Sequence, residues 1–65
     1  MKSGTYFTDK NEAVDLAITA SKIWISDFAI CRKFDKYYVR ELNQAYKGKE
    51  TIIGKVVNNK LVEIN

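Results

Sequence analysis

A stripe of basic and amide side chains in the middle of the chain has the residue types that contact nucleic acid. Its members recur at steps of three or four residues, the spacing that keeps side chains on one face of a helix. Arginine binds guanine in bidentate fashion, asparagine and glutamine do the same for adenine, and lysine neutralises phosphates. The stripe consists of Lys36, Arg40, Asn43, Gln44 and Lys47.

Four further residues extend this candidate DNA-binding site. Tyr37 and Tyr38 lie beside the stripe, where they can bind phosphates or touch thymine methyl groups. Lys55 and Lys60 flank a predicted hairpin tip, from which they can reach the minor groove or the backbone beside it. Polar stripes are also common as plain solvated surface, and aromatic residues more often pack in a core, so spacing has to decide between these interpretations.

The charge distribution favours a polyanionic partner. The chain carries eleven Lys and Arg against eight Asp and Glu, which gives a net charge of +3. Eight of the eleven basic residues lie between Arg32 and Lys60, a segment with only three acidic residues. Positive charge is therefore concentrated in the same segment as the polar stripe.

Length and composition exclude several classes of protein. Sixty-five residues form one domain at most, and 46% hydrophobic residues are enough for it to fold. The single cysteine, Cys31, cannot form an internal disulfide, which favours a reducing cytoplasm, and no apolar run is long enough to span a bilayer. The chain has no histidine, glycine-rich phosphate loop or metal-ligand spacing, so we expect no enzyme, cofactor or metal site.

The first predicted element after a possible short strand at residues 4–7 is a helix. Asp9 and Glu12 have the spacing of a capping box, which begins a helix that runs to about Lys22. Its apolar residues recur at three- and four-residue steps and predict one inward face. They are Ala13, Leu16, Ala17, Ala20 and Ile23.

Two more helices and a hairpin follow in this interpretation. Ser26 would cap a helix over residues 27–33, and Asp35 a third helix that ends at Gly48, a residue suited to a left-handed C′ position. β-branched runs at residues 51–57 and 60–64 flank Asn58-Asn59, and two asparagines tolerate the positive φ angles of a type I′ turn. The inward residues of the two helices are Phe28, Ala29, Phe34, Val39, Leu42 and Tyr46.

Residues 25–44 resemble the helix-turn-helix of the winged helix-turn-helix family, especially small regulators and excisionases of phages and mobile elements. Ala29 is small where two helices cross steeply, and the neighbouring inward positions are apolar. Two residues depart from the family pattern. The family places glycine at the position of Lys33 and an apolar residue at the position of Arg32.

The resemblance implies an α+β fold, a three-helix helix-turn-helix core with a C-terminal β-hairpin wing. It also implies that residues 35–47 form a recognition helix in the major groove of double-stranded DNA. The role would be that of a small transcriptional regulator or a recombination directionality factor. Specific binding by so small a unit would need self-association on DNA.

Two alternatives remain open. One is a protein-binding module, such as a phage-encoded inhibitor that docks on a host protein or a recombinase, since a fold does not fix a function. It requires the aromatic residues to form one exposed patch. The other is RNA binding, which requires exposed aromatics beside the basic stripe. The aromatic residues in question are Tyr6, Phe7, Trp24, Tyr37, Tyr38 and Tyr46.

Overall fold

Two helices and two β-hairpins make up residues 6–63, the part of the chain that the computed structural model describes. The strands form one antiparallel sheet in the order β2-β1-β3-β4, so the two hairpins join through β1 and β3. The predicted three-helix core with a hairpin wing is therefore wrong. The elements are α1 (Lys10–Trp24), β1 (Phe28–Lys33), β2 (Lys36–Glu41), α2 (Leu42–Lys47), β3 (Ile52–Val57) and β4 (Lys60–Glu63).

Helix α1 begins where the sequence predicts. The Asp9 carboxylate caps it by accepting a hydrogen bond from the backbone N–H of Asn11 at 2.9 Å. The buried face is the row Ala13, Ala17 and Ser21, whose small side chains let the helix lie close to the sheet. The prediction that Leu16 and Ile23 point inward is wrong, because both lie away from this row and are exposed.

The predicted second helix, residues 27–33, is instead strand β1. Its side chains alternate between two packing clusters, with Phe28 and Ile30 facing α1 and Ala29 and Cys31 facing α2. Ser26, predicted as a helix cap, donates its hydroxyl hydrogen to Glu41 at 3.2 Å. A strand therefore accounts for the apolar residues of this segment, because its alternating side chains pack against α1 on one side of the sheet and α2 on the other.

The predicted recognition helix divides into strand β2 and the short helix α2. The aromatic and β-branched residues Tyr37, Tyr38 and Val39 favour a strand, and this run pairs with β1 in regular register. Asp35, predicted as a helix cap, lies in the turn between the two strands. Helix α2 ends at Gly48 as predicted, but Gly48 has φ −81° and Lys49 takes the left-handed φ of 53°.

The predicted C-terminal hairpin is present, but it is half of the sheet and not a wing. Asn58 and Asn59 have φ angles of 55° and 64°, which confirms the turn with two positive φ angles. Strand β3 bulges opposite β1, since Ile30 pairs with Gly54 while the next residue of β1 pairs with Ile52. The extra residue, Ile53, packs into the core beneath α1.

The sheet thus has an α1 side and an α2 side, names that we keep below. The α1 side holds the larger core, with Ile30, Ile53 and Val56 against the alanines of α1. Helix α2 packs on the opposite side over β1 and β2, where Ala45 contacts the second buried cluster.

The segment before α1 adds one bridge to the sheet. Phe7 and Tyr37 exchange two backbone hydrogen bonds of 2.7 Å at the outer edge of β2. Of the short strand proposed for residues 4–7, positions 4 and 5 lie outside the described residues, as does Ile64 at the end of the hairpin. No helix within residues 6–63 combines the length and apolar character needed to cross a membrane.

Candidate nucleic-acid interface

The sheet register brings most of the predicted site residues to the α2 side. Cys31 and Tyr38 lie on this side, so the pair two residues further along, Lys33 and Lys36, does too. The same alternation places Arg40 beside Ala29. We define the basic face as the six basic residues that the strands and α2 place on this side: Lys33, Lys36, Arg40, Lys47, Lys55 and Lys60.

Lys55 and Lys60 reach this side through the second hairpin. Lys55 pairs with Ala29, and Lys60 pairs with Val57, two residues after Lys55 on β3. Three strand spacings of about 4.8 Å separate β2 from β4, so basic side chains are distributed over roughly 14 Å across the sheet. No residue of β1, β2, α2 or β3 on this side is acidic, and each of these elements is fully described.

Two basic residues of the face already have partners within the protein. Arg40 Nε lies 3.6 Å from a carboxylate oxygen of Glu50. Lys55 donates a hydrogen bond of 3.3 Å to the hydroxyl of Tyr46 and lies 6.0 Å from the centre of that ring. The remaining four, Lys33, Lys36, Lys47 and Lys60, are exposed and have no such partner among the described residues.

Lys33 and Lys36 are directly opposite each other in the β1–β2 pair. Side chains at such positions have Cβ atoms about 5 Å apart, and like charges there destabilise a hairpin. The closest concentration of positive charge on the face therefore opposes folding, and an anion placed between the two ammonium groups would relieve it. Sequence reasoning missed Lys33, although strand alternation from Cys31 would have placed it.

Helix α2 adds polar atoms to the face. Asn43, Gln44 and Lys47 are exposed, whereas Leu42 and Ala45 pack against the sheet. A helix of six residues is only about 9 Å long, so its amides reach few bases. The predicted stripe is thus assembled from a strand and a helix, and not from one recognition helix.

The two predicted tyrosines do not join the face. Tyr37 is half-buried on the α1 side, where it contacts the main core. Tyr38 is buried on the α2 side, and its hydroxyl donates a hydrogen bond to Glu50. Burial and this hydrogen bond raise the pKa of Tyr38 far above its ordinary value. Tyr38 and Glu50 therefore fix the loop after α2 onto the sheet, which is a structural role.

Cys31 is fully buried beside the same cluster. Burial, with a smaller contribution from the Glu50 carboxylate, raises the pKa of the thiol to about 11. A buried thiol that stays protonated near neutral pH is a packing group and a poor nucleophile.

The buried thiol predicts a pH effect on stability. The folded state holds the thiol proton more tightly than the unfolded state, so its contribution is complete below pH 9.0 and is lost as the pH rises to about 11. We expect the free energy of unfolding to fall by at most roughly 2 kcal/mol over this interval because of Cys31. Urea unfolding at the two ends of the interval measures this fall, which should be smaller in Cys31→Ala. Equal falls in both proteins would rule out the thiol as the cause.

The α1 side has a different surface. It carries Glu12, Asp15 and Glu41 together with Lys22 and Arg32, so both signs of charge are mixed there. Several apolar residues on α1 and directly after it are exposed, and among them the β-branched Ile25 has a φ of 51°. These exposed residues are Leu16, Ile23, Trp24 and Ile25.

The exposed aromatic residues do not form one patch. Trp24 is the last residue of α1, and Tyr46 lies on α2. Tyr6 and Phe34 lie together at the tip of the first hairpin. Phe34, predicted to be an inward core residue, is 85% exposed, so that prediction is wrong.

No set of three or more His, Cys, Asp or Glu side chains within the described part of the chain is arranged to hold a metal ion. Comparison with known proteins found no family model, no curated protein and no solved structure that matches this chain.

Proposed function

We propose that this protein binds DNA through the basic face. The observation that carries the proposal is the separation of charge between the two sides of the sheet. Six basic residues from five elements share the α2 side, and the nearby Glu50 carboxylate is engaged by Tyr38 and Arg40. Most of the affinity would come from lysine contacts to phosphates, which fix position without reading sequence.

The four lysines without partners set the expected strength of this interaction. Each phosphate that a lysine neutralises releases condensed counterions and adds about 0.9 to the slope of log affinity against log salt. With about four such contacts, affinity for duplex DNA should fall roughly 100-fold between about 50 and 200 mM salt.

Fluorescence anisotropy with labelled duplex DNA over a salt series tests the proposal. The longest dimension of the domain is 28 Å, which spans about eight base pairs, so a duplex of about 12 base pairs suffices. A steep fall in affinity with salt supports the proposal. No binding at the lowest salt, or an affinity that does not depend on salt, would reject it.

A second proposal concerns self-association. The basic faces of two copies repel each other, which disfavours a dimer through the α2 side, whereas the charges on the α1 side are mixed. Contiguous exposed apolar side chains mark interaction surfaces, and Ile23, Trp24 and Ile25 supply such a surface. We propose that a second copy of this chain packs there, which leaves both basic faces open to DNA.

We expect Trp24→Asp to shift the protein toward the monomer, because a charge replaces a side chain that is 70% exposed in the single chain and buried in the dimer. Sedimentation equilibrium over a concentration series measures the change. Phe34→Asp is the control, since it makes a similar substitution at the opposite end of the sheet. A natural protein that is monomeric at every concentration would refute the dimer.

A further inference from the structure

Three unfavourable features coincide at the tip of the first hairpin. Phe34 has a φ of 57°, a left-handed conformation in which bulky residues are rare. Its aromatic side chain is 85% exposed to solvent. The like-charged residues Lys33 and Lys36 face each other directly beside it. Local departures of this kind cluster at active sites, ligand-binding segments and switch regions.

The tip also has a defined shape. A cavity of about 440 Å³ opens beside Phe34 and is lined by Tyr6, Lys33, Phe34, Asp35 and Lys36. Its volume lies in the range of roughly 300–1,000 Å³ that is typical of small-molecule sites. The ring of Tyr6 rests against Tyr38 with centroids 5.3 Å apart, and Arg32 donates a hydrogen bond of 3.4 Å to the carbonyl of Phe34. These contacts support both aromatic residues from within the protein.

We infer that this tip stacks an unpaired nucleobase, with Phe34 and Tyr6 as aromatic surfaces and Lys33 and Lys36 on the flanking phosphates. The inference rests on the proposed function and adds that single-stranded segments are preferred over uninterrupted duplex. Aromatic surfaces beside basic residues bind bases through their π-faces, which a duplex keeps stacked internally. DNA and RNA single strands share this chemistry.

Phe34→Gly separates binding from stability. Glycine accepts positive φ without strain, so this variant keeps the turn and removes only the exposed ring. We expect it to weaken binding to single strands of about 12 deoxythymidines by roughly 10-fold, in line with the loss of one stacked base. Affinity for the duplex should change by less than about 2-fold, since phosphate contacts remain. Leu16→Ala, which removes an exposed apolar side chain from α1 and not from the tip, should change neither affinity.

Tryptophan fluorescence detects directly whether a base stacks on the side chain at position 34. In a Trp24→Phe background, Phe34→Trp places the only tryptophan of the chain at the tip. Its emission should be quenched by oligodeoxythymidine, by oligouridine or by both, and which of them quenches identifies the strand that is bound. Duplex DNA should quench the emission much less than either single strand, because its bases stay stacked on one another.

The outcomes distinguish the two proposals. Equal loss of single-strand and duplex affinity in Phe34→Gly, no loss of either, or no quenching would overturn stacking while leaving salt-dependent binding by the basic face intact. If the natural protein binds neither single strands nor duplex at low salt, both proposals fail.

Discussion

Alanine in place of Lys36, Lys47 and Lys60 should weaken binding to duplex DNA by roughly 10³-fold at about 50 mM salt. The three residues come from β2, α2 and β4, and each is exposed without a protein partner among the described residues. A slope of about 0.9 per contact corresponds to roughly a 15-fold effect for each lysine at this salt concentration. The slope itself should fall by about three, which the same anisotropy series measures.

A charge-matched control decides whether position or net charge is responsible. Asn11→Asp combined with Lys22→Glu also removes three units of charge from the natural +3, but both residues are exposed on α1. We expect this variant to bind within a few-fold of the natural protein, since its altered charges lie on the side away from DNA. Equal losses in the two variants would mean that net charge alone drives binding, and the basic face would lose its role.

Ile30→Ala should destabilise the fold by about 2–5 kcal/mol, the range for truncating a large buried aliphatic side chain. Ile30 is 1% exposed on the central strand β1, where it packs between α1 and β3. A domain of this size has only about 3–10 kcal/mol of stability in total, so a large part of the chain population should unfold.

Leu16→Ala is the matched control, because it truncates an aliphatic side chain of the same size at a position that is 42% exposed on α1. It should leave the free energy of unfolding within about 0.5 kcal/mol of the natural value. Urea unfolding followed by circular dichroism compares the two variants. Similar losses in both would contradict the placement of the core between α1 and the sheet.

Local signals predicted the ends of elements better than their type. Asp9 as a cap, Gly48 as a helix end and the Asn58-Asn59 turn depend on a few neighbouring residues, and the structure agrees with each position, although the left-handed residue is Lys49 and not Gly48. The region between residues 27 and 41 was predicted as helix because its short apolar runs fit both helical and strand periodicity. Pairing of β1 with β3 decides the matter there, and it joins residues far apart in sequence, such as Phe28 and Val56.

The candidate site shows the same division. The residue types of the predicted stripe indicated phosphate contact, and seven of the nine predicted residues lie on the α2 side with exposed or partly exposed side chains. Tyr37 falls on the α1 side because strand alternation sends neighbours to opposite sides of the sheet, and Tyr38 lies on the α2 side but is buried. Residues 25–44 form mainly the first hairpin, so a regulatory role inferred from the helix-turn-helix resemblance does not carry over with the fold.

The central claim, that DNA lies on the basic face, is tested most directly by amide chemical-shift mapping. Uniformly ¹⁵N-labelled protein would be titrated with a duplex of about 12 base pairs at low salt. Changes concentrated in β2, α2 and the Asn58-Asn59 turn, with the exposed face of α1 unaffected, are the predicted result. Changes centred on α1, or none at saturating DNA, would contradict it.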